Sequence, residues 1–485
     1  MTDYLEKYEP VIGLEVHAQM KTKTKAFCSC STEFSAPPNT NICPICLGHP
    51  GVLPVLNRNL VEFILRLGLA TDCKIMERCI FARKNYFYPD LPKGYQISQY
   101  DKPICHHGYI EIGGNKIGIT RIHMEEDSGK SIHDFSDNET LVDLNRCGVP
   151  LIEIVSEPDI RSFEEAYNYL IKLKQLVQYL DICDGNMEEG SLRCDANVSV
   201  RLKGTEKFGI NTEVKNLNSF RNVADALEAE ARRQAEVLEN GGRVIHQTLT
   251  YDARTKTTSP MRSKEEAHDY RYFPEPDLVT VHVSEEWKNK VIKNLPELPD
   301  KRKERFIKDY SLPSYNAEVL TQDRAVADYF EKICGNLDNK NSFKSASNWV
   351  MTEVMRILNE EKIQITDFRV SEENLSSLIK LIDEGKISNN IAKEAFAEML
   401  KYTDPNDKRQ DPVLIVKEKN LLQVSDSSEI EKIVMKVLED NPDEVKRYKK
   451  GETKLLGFFV GKVMKESKGK ANPKTVNELL AKNLK

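Results

Sequence analysis

The first strand-like segment of the chain carries a carboxylate and an imidazole on one face. Residues 11–18 read Val-Ile-Gly-Leu-Glu-Val-His-Ala, and apolar residues occupy every second position from Ile12 to Val16. Successive side chains leave a β-strand on opposite faces, so this alternation predicts a strand with one buried side. Glu15 and His17 share the other side. They could build a metal or acid–base site, or they could belong to a solvated outer face.

The same alternation recurs through the first 295 residues and predicts a strand-rich domain. Helical periods interrupt it at 60–70 and 163–180, and a longer charged helix follows at 223–239. That helix ends at Gly241 and Gly242, a common helix stop. Further alternating segments lie at 109–112, 117–124, 151–155 and 197–202.

The pattern becomes wholly helical beyond residues 294–300. Two prolines within four residues break both periods there and indicate a linker. A polar stretch at 402–412 indicates a second, softer boundary. The pattern therefore predicts an α+β domain at 1–295, a helical domain at 296–405 and a small helical tail at 406–485.

Composition and charge narrow the class of protein. No segment approaches the roughly 18 apolar residues of a membrane span, and the N-terminus lacks a signal pattern. Seven of the eleven cysteines are scattered singly, as in a reducing compartment, which predicts a cytoplasmic protein with no membrane partner. The net charge of -6 conceals a basic end, because twelve Lys/Arg face three Asp/Glu between Lys446 and Lys485. A basic end suits contact with a polyanion, although a solvated end without a partner is equally compatible.

Four of the cysteines lie close together in two pairs. Cys28 and Cys30 are followed, after a short loop, by Cys43 and Cys46. Zn²⁺ binds four thiolates in a tetrahedron, and this spacing is somewhat shorter than that of a zinc ribbon. We therefore expect a structural zinc site, with four free thiols as the alternative. A catalytic zinc is disfavoured because four cysteines leave no position for water.

Carboxylates also interrupt apolar or glycine-rich segments on later predicted strands. Glu153 lies inside an apolar run, where burial is costly unless the carboxylate is paired, for example with Arg146, or binds a metal. Mg²⁺ prefers oxygen ligands and often also binds substrate phosphates, so these residues predict a Mg²⁺-dependent phosphoryl-transfer site, with Mn²⁺ as a possible substitute. The acidic set is Glu15, His17, Glu125, Glu126, Glu153 and Asp195, and the candidate cations for ATP or phosphate are Arg83, Lys84, Arg121, Arg193 and Lys215.

Eight longer motifs follow one another along the chain. They lie at 11–17 together with the cysteines, and at 83–99, 123–127, 142–146, 151–159, 187–197, 215–220 and 269–277. In this order they resemble the family of B subunits of aspartyl/glutamyl-tRNA (Asn/Gln) amidotransferases, over essentially all 485 residues.

The resemblance implies both a fold and an activity. The fold would be a cradle-like α+β domain with a largely antiparallel sheet, similar to glutamine synthetase and guanido kinases, followed by a helical domain and an all-α tail. The activity would be ATP-dependent amidation of misacylated Glu-tRNA(Gln), Asp-tRNA(Asn) or both. The side-chain carboxylate is phosphorylated, and ammonia then displaces the phosphate. The partners would be an amidase (glutaminase) subunit, which supplies ammonia from glutamine, and a small third subunit.

The resemblance also assigns individual residues. The magnesium positions of the family correspond to His17, Glu126 and Glu153, with Glu15, Glu125 and Asp195 close by. The family's zinc site, present only in some members, corresponds to the four clustered cysteines. The basic tail corresponds to the tRNA-contacting end, and its candidate phosphate contacts are Lys462, Lys465, Lys468, Lys470 and Lys474.

Two other functions stay open on the sequence. One is a free-standing Mg²⁺-dependent ligase that amidates a small acid, which the basic tail and the lack of an ammonia-generating motif disfavour. The other is a zinc-bearing tRNA-binding scaffold without chemistry of its own. ATP hydrolysis or phosphate transfer that depends on charged tRNA would discriminate between catalysis and the scaffold.

Overall fold

Internal contacts divide the chain into two units, Met1–Leu298 and Pro299–Lys485. The domain limits expected at 295 and 405 stay predictions. The structure is a computed structural model, and it describes residues 6–136, 138–187, 189–261, 270–405, 407–421, 427–467, 471 and 473–484.

The first unit is built on β-strands. They are β1 (Tyr8–Gln19), β2 (Lys74–Ile75), β3 (Arg78–Cys79), β4 (Ala82–Asn85), β5 (Tyr95–Ser98), β6 (Cys105–Ile112), β7 (Asn115–Glu126), β8 (Lys130–Ser136), β9 (Glu139–Asp143), β10 (Pro150–Ser156), β11 (Leu192–Leu202), β12 (Thr212–Leu217), β13 (Thr248–Asp252), β14 (Thr257–Pro260), β15 (Phe273–Pro274) and β16 (Val281–His282).

One large sheet holds nine of these strands within the described residues. Its order is β14–β13–β12–β11–β1–β10–β7–β6–β2, and smaller sheets pair β15–β4–β5, β16–β3 and β8–β9. The large sheet is antiparallel except where β12 pairs with β13. That parallel pair has a helical crossover between its strands, as parallel neighbours require. The predicted α+β fold with a largely antiparallel sheet is confirmed.

Helices cover one face of the large sheet. The apolar side of β1, with Ile12, Leu14 and Val16, is almost fully buried in a core shared with these helices. The predicted alternation is therefore confirmed in β1. Ser162 and Ser219 each accept a hydrogen bond from a backbone amide in the first turn of the helix that follows. The helices of this unit are α1 (Arg58–Ala70), α2 (Phe163–Tyr179), α3 (Phe220–Glu239) and α4 (Glu285–Asn294).

The regular elements of the second unit, within its described residues, are helices, and Ala471 lies in an isolated bridge. Its α-helices are α5 (Pro299–Asp309), α6 (Ser314–Leu320), α7 (Arg324–Gly335), α8 (Lys340–Trp349), α9 (Met355–Glu361), α10 (Glu372–Asp383), α11 (Asn389–Met399), α12 (Pro412–Glu418), α13 (Ser427–Glu439), α14 (Pro442–Lys449), α15 (Leu455–Glu466) and α16 (Pro473–Asn483). A π-helical turn, Val350–Val354, joins α8 to α9, and 3₁₀ turns lie at Ile365–Asp367 and Lys408–Gln410.

Two hydrophobic cores lie within the described part of this second unit. The first extends from Phe306 to Val416 and the second from Ile430 to Leu484. Ile415 belongs to the first core, so α12 packs with the helices that precede the polar stretch at 402–412. Among the described residues, no helix is both long enough and apolar enough to cross a membrane.

Candidate active site and zinc centre

The register around β1 brings together carboxylates that are distant in sequence. β1 pairs with β10 so that His17 lies opposite Glu153, and with β11 so that Glu15 lies opposite Asp195. Residues directly opposite one another in neighbouring strands point to the same face. The face that carries Glu15 and His17 is therefore the one that carries Glu153 and Asp195.

His17 lies at the centre of this group. Its Nε2 is 3.6 Å from Glu15 Oε1, 3.7 Å from Glu125 Oε2 and 3.5 Å from Glu153 Oε2. One ligand atom each from Glu15, His17 and Glu153 lies within 4.8 Å of the others. Ligands of an octahedral Mg²⁺ ion lie about 3–4 Å apart, given metal–oxygen distances of about 2.1 Å. Small side-chain movements would let these three residues hold a divalent cation, so the donor set fits one.

The electrostatics of the site favour a positive charge at its centre. Burial acts to lower the pKa of His17, but the hydrogen bond to Glu153 and the charges of Glu153, Glu125 and Glu15 outweigh it and raise the pKa to about 9. Burial, together with the negative charge of Glu153, raises the pKa of Glu15. Burial also acts to raise the pKa of Glu153, yet His123 and His17 hold it well below its ordinary value. A cation here, whether a proton or a metal ion, relieves the repulsion among the carboxylates.

His123 is a site residue that the sequence analysis did not assign. It lies opposite Glu153 on β7, and its Nε2 is 3.4 Å from Glu153 Oε2. The His123 ring is buried, and within the described residues its Nδ1 has no hydrogen-bond partner. The signal was present in the sequence, because His123 and Glu125 are two residues apart on one strand and must share a face. Arg121, two residues earlier, lies 3.5 Å from Glu153 Oε1.

Lysines border the carboxylates on two sides. Lys84 on β4 donates to Glu125 Oε1 at 2.9 Å. Lys215 on β12 donates to Asp195 Oδ2 at 2.8 Å, next to an irregularity in the pairing of β11 with β12. The neighbouring Asn216 adopts a left-handed backbone with φ +60°. This local distortion accompanies the placement of Lys215 beside the carboxylates.

Arg193 also lies at the border of the site. It is opposite His17 in the register of β1 with β11. Its guanidinium donates to Asp127 Oδ2 at 2.8 Å, while 39% of the side chain remains exposed. The structure therefore brings Arg193 near the carboxylates but pairs it with a residue that the sequence analysis left unassigned.

The structure does not bring Glu126 into the carboxylate group. Glu126 follows Glu125 on β7 and therefore points to the opposite face of the strand. There it forms an ion pair with Lys93 and accepts a hydrogen bond from the backbone amide of Ile97 at 2.7 Å. The three residues that converge here are Glu15, His17 and Glu153. The expected magnesium ligand Glu126 stays a prediction, and the strand geometry does not favour it.

Arg83 is likewise separated from the carboxylates. Its guanidinium donates to both oxygens of Glu275, at 2.7 and 2.8 Å, and to Asp277 at 3.2 Å. The ring of Tyr95 lies 4.2 Å from the guanidinium carbon. Because Arg83 and Lys84 are adjacent on a strand, only one of them can face the site, and that residue is Lys84.

The four clustered cysteines converge as expected for a zinc centre. One Sγ atom from each of Cys28, Cys30, Cys43 and Cys46 lies within 4.8 Å of the others. Cys43 Sγ and Cys46 Sγ are 3.9 Å apart, close to the roughly 3.8 Å between sulfurs of a tetrahedral zinc site. A hydrogen bond from Cys28 lowers the pKa of Cys46 to about 4, and Lys25 acts in the same direction. Zn²⁺ binds cysteine as the thiolate, so a cysteine that is ionised at neutral pH among the four fits a zinc site.

The tail lysines are described only in part. Lys462 and Lys465 lie on α15, and Lys474 lies in the first turn of α16. Lys468 and Lys470 lie outside the described residues. Near Lys462 on α15, Phe459 is fully buried in the last hydrophobic core.

Two family profiles match the chain. The GatB/GatE catalytic domain matches residues 10–289 and the GatB domain matches residues 328–484.

Curated relatives match along their whole length. The B subunit of the aspartyl/glutamyl-tRNA(Asn/Gln) amidotransferase of Chlorobium phaeobacteroides is 55% identical over 484 residues, which cover 98% of this chain and 99% of the relative. The protein of the same name from Thermodesulfovibrio yellowstonii is 56% identical over 483 residues, which cover 99% of this chain and 100% of the relative. This chain belongs to the family of aspartyl/glutamyl-tRNA(Asn/Gln) amidotransferase B subunits.

Proposed function

We propose that this chain catalyses the ATP-dependent amidation of Glu-tRNA(Gln), Asp-tRNA(Asn) or both. The observation that carries the proposal is the convergence of Glu15, His17, Glu125 and Glu153 on one sheet face, in a chain whose full-length relatives bear the name of that enzyme. Apolar residues of similar volume would stabilise the folded sheet as well as these charged groups do, so the cluster indicates a function.

Glu15, His17 and Glu153 are the residues that would hold Mg²⁺, or Mn²⁺ in its place. A bound divalent ion neutralises phosphate oxygens, which lets an anionic carboxylate approach an anionic phosphate. His123 would help to position Glu153, because Glu153 on β10 lies between His17 on β1 and His123 on β7. Glu125 lies 3.7 Å from His17 and adds negative charge beside the ligands.

Lys84, Lys215 and Arg193 are suited to bind the phosphates of ATP. Each ammonium group has three donors, so Lys84, paired with Glu125, and Lys215, paired with Asp195 and Glu213, each keep at least one donor for a phosphate oxygen. More than a third of the side chain is exposed in both Lys215 and Arg193, so solvent-borne ATP can reach them. These cations would orient the γ-phosphate beside the carboxylate cluster.

The reaction then proceeds in two steps. An oxygen of the misattached side-chain carboxylate attacks the γ-phosphorus of ATP, and the bond to the β,γ-bridging oxygen breaks to release ADP. Ammonia next attacks the carbonyl carbon of the acyl phosphate. Inorganic phosphate leaves with the former carboxylate oxygen, and loss of a proton from nitrogen gives the amide.

The remaining assignments concern partners and the ends of the protein. An amidase (glutaminase) subunit would supply ammonia from glutamine, and a small third subunit would complete a heterotrimer. Zinc would hold the loop of residues 28–46 in place without taking part in the chemistry. Lys462, Lys465, Lys468, Lys470 and Lys474 would contact tRNA phosphates, so tRNA affinity would fall with added salt.

The test is amide formation on purified Glu-tRNA(Gln) with ATP, Mg²⁺ and either glutamine or ammonia, with and without the partner subunits. We expect the complete set to make Gln-tRNA and Glu153→Gln to abolish that product. The matched control is Glu111→Gln, because Glu111 is an exposed carboxylate on β6 of the same sheet. A complex that binds tRNA but never consumes ATP would show that the chain is a scaffold.

A further inference from the structure

A group of tyrosines lies beside the carboxylate centre, the group formed by Glu15, His17, Glu125 and Glu153. We call it the aromatic cluster, and it consists of Tyr86, Tyr88, Tyr100, Tyr270 and Tyr272. The rings of Tyr100 and Tyr272 are stacked, with centroids 4.3 Å apart and planes 9° from parallel. The other neighbouring pairs meet at steep angles, with centroids 5.7 to 6.0 Å apart. The cluster thus presents aromatic faces in more than one orientation.

Part of this aromatic surface is open to solvent. Tyr100 is 55% exposed and Tyr88 is 50% exposed. Since Tyr272 covers one face of the Tyr100 ring, the exposed area of Tyr100 is its other face and its edge. An open aromatic face contributes little to a hydrophobic core, and it offers a surface on which a planar ligand can stack.

The cluster is continuous with the carboxylate centre. Lys84 Nζ, which donates to Glu125, also lies 5.2 Å from the centroid of the Tyr270 ring. Burial raises the pKa of Tyr272 to about 12, and the charges of Lys84, Glu125 and Glu153 all act on that hydroxyl. The aromatic cluster is thus in direct contact, through Tyr270, with a cation that pairs with the carboxylates.

The backbone that carries two of these tyrosines is held in a strained conformation. Arg271, between Tyr270 and Tyr272, has φ +44°, which is unfavourable for a residue other than glycine. Asn85 secures this turn, because its side-chain amide donates to the carbonyls of Tyr270 and Arg271 at 3.2 and 2.9 Å. Strained backbone persists where the surroundings hold it, and it is concentrated at binding sites.

We propose that the aromatic cluster is a nucleobase-stacking subsite, which holds the base of a nucleotide substrate beside the carboxylate centre. The subsite rests on the proposed function and adds to it the residues that receive a base. Aromatic rings stack with any base, and a neighbouring cation suits the phosphates attached to it. The base belongs either to ATP or to the 3′ end of the tRNA, and the two sources share this chemistry.

The test measures binding to the full complex with Mg²⁺ present and without turnover. The variants are Tyr100→Leu, which removes the aromatic face, and Tyr100→Phe, which keeps it. The ligands are ATP, inorganic tripolyphosphate and uncharged tRNA, so that the triphosphate is tested with and without a base. The matched control is Phe208→Leu, because Phe208 is 51% exposed and lies near Arg201, toward the far end of β11.

We expect Tyr100→Leu to weaken binding of one base-bearing ligand by roughly 5- to 150-fold, the range for loss of one base–aromatic stack. Tripolyphosphate affinity should be unchanged, and Tyr100→Phe should bind as the unaltered chain does. A loss confined to ATP assigns the subsite to adenine of ATP, and a loss confined to tRNA assigns it to the terminal base.

Two results would overturn the subsite. One is unchanged affinity for both base-bearing ligands in Tyr100→Leu, and the other is an equal loss of affinity for tripolyphosphate in that variant. The proposed function is judged separately, because it requires amide formation. A complex that forms amide with unaltered affinities in Tyr100→Leu would retain the function and lose the subsite. A complex that binds a base through Tyr100 but never forms amide would retain the subsite and lose the function.

Discussion

Binding of a divalent metal at the carboxylate centre should release a proton from His17, so metal affinity should rise with pH. Although burial opposes it, the surrounding carboxylates hold the pKa of His17 at about 9. A metal needs the neutral imidazole, and the proton competes with the metal below this pKa. About 1% of the imidazole is neutral at pH 7 and about 9% at pH 8, so the apparent affinity should rise about ninefold between them. Above about pH 9 the competition ends and the affinity levels off.

Mn²⁺ is the practical probe, because free Mn²⁺ has a paramagnetic resonance signal that disappears on binding. The titration is run at pH 7 and pH 8 on the unaltered chain and on His17→Asn. The variant keeps an oxygen ligand but removes the titrating ring, so its affinity should change less than about twofold between these pH values. Calorimetry in two buffers of different ionisation enthalpy should show that the unaltered chain releases about one more proton on metal binding than His17→Asn does.

An affinity that does not change between pH 7 and pH 8 would refute the reasoning, since a raised pKa for His17 requires competition by the proton. The same ninefold change in His17→Asn would also refute it. The released proton would then come from another group, and His17 would not be a metal ligand.

Three further outcomes are expected. Glu153→Gln should lower Mn²⁺ affinity at least about tenfold. Glu126→Gln should change that affinity less than about twofold, because the Glu126 carboxylate pairs with Lys93 on the other face of the strand. Equal effects of the two variants would contradict the strand geometry. Cys46→Ser should lower the melting temperature by roughly 5–10 °C with little effect on amide formation at low temperature, and a chelator should not lower it further. A chain that ends after Leu421 should lose tRNA affinity and its dependence on salt in filter binding, while the helical core from Phe306 to Val416 stays folded by circular dichroism. Unchanged tRNA affinity in that truncation would rule out the tail as the tRNA-binding end.

Structural features that depend only on residues close together in the chain could be predicted from the sequence. The alternation at 11–18 predicts β1 and its buried positions, because the direction of a side chain on a strand depends only on parity. The cysteine spacing brings together the four thiols that the structure also groups, since their two pairs lie within nineteen residues. The helical periods at 60–70, 163–180 and 223–239 correspond to α1, α2 and α3 for the same local reason.

The acidic set could be named from the sequence, but its geometry could not. Glu125 and Glu126 are adjacent, and the sequence shows that only one can face His17 without showing which one. The pairing of β7 with β10 selects Glu125, and it also places His123 against Glu153. Arg83 and Lys84 present the same choice on β4, which the structure resolves in favour of Lys84.

The sequence by itself predicted β1, segments of β6, β7, β10 and β11, the helices α1 to α3 and the helical character of the second unit. It also predicted the cysteine group, the basic tail and the family, because each is encoded in short patterns or in an ordered series of motifs. Only the tertiary structure decided which carboxylates surround His17 and which tyrosines border them. Glu153 and His17 are separated by 136 positions, and they meet because β1 lies between β10 and β11 in one particular register. A shift of one residue in that register would turn every side chain of the strand to the opposite face. That choice depends on the packing of the whole sheet against its helices, and no local pattern contains it.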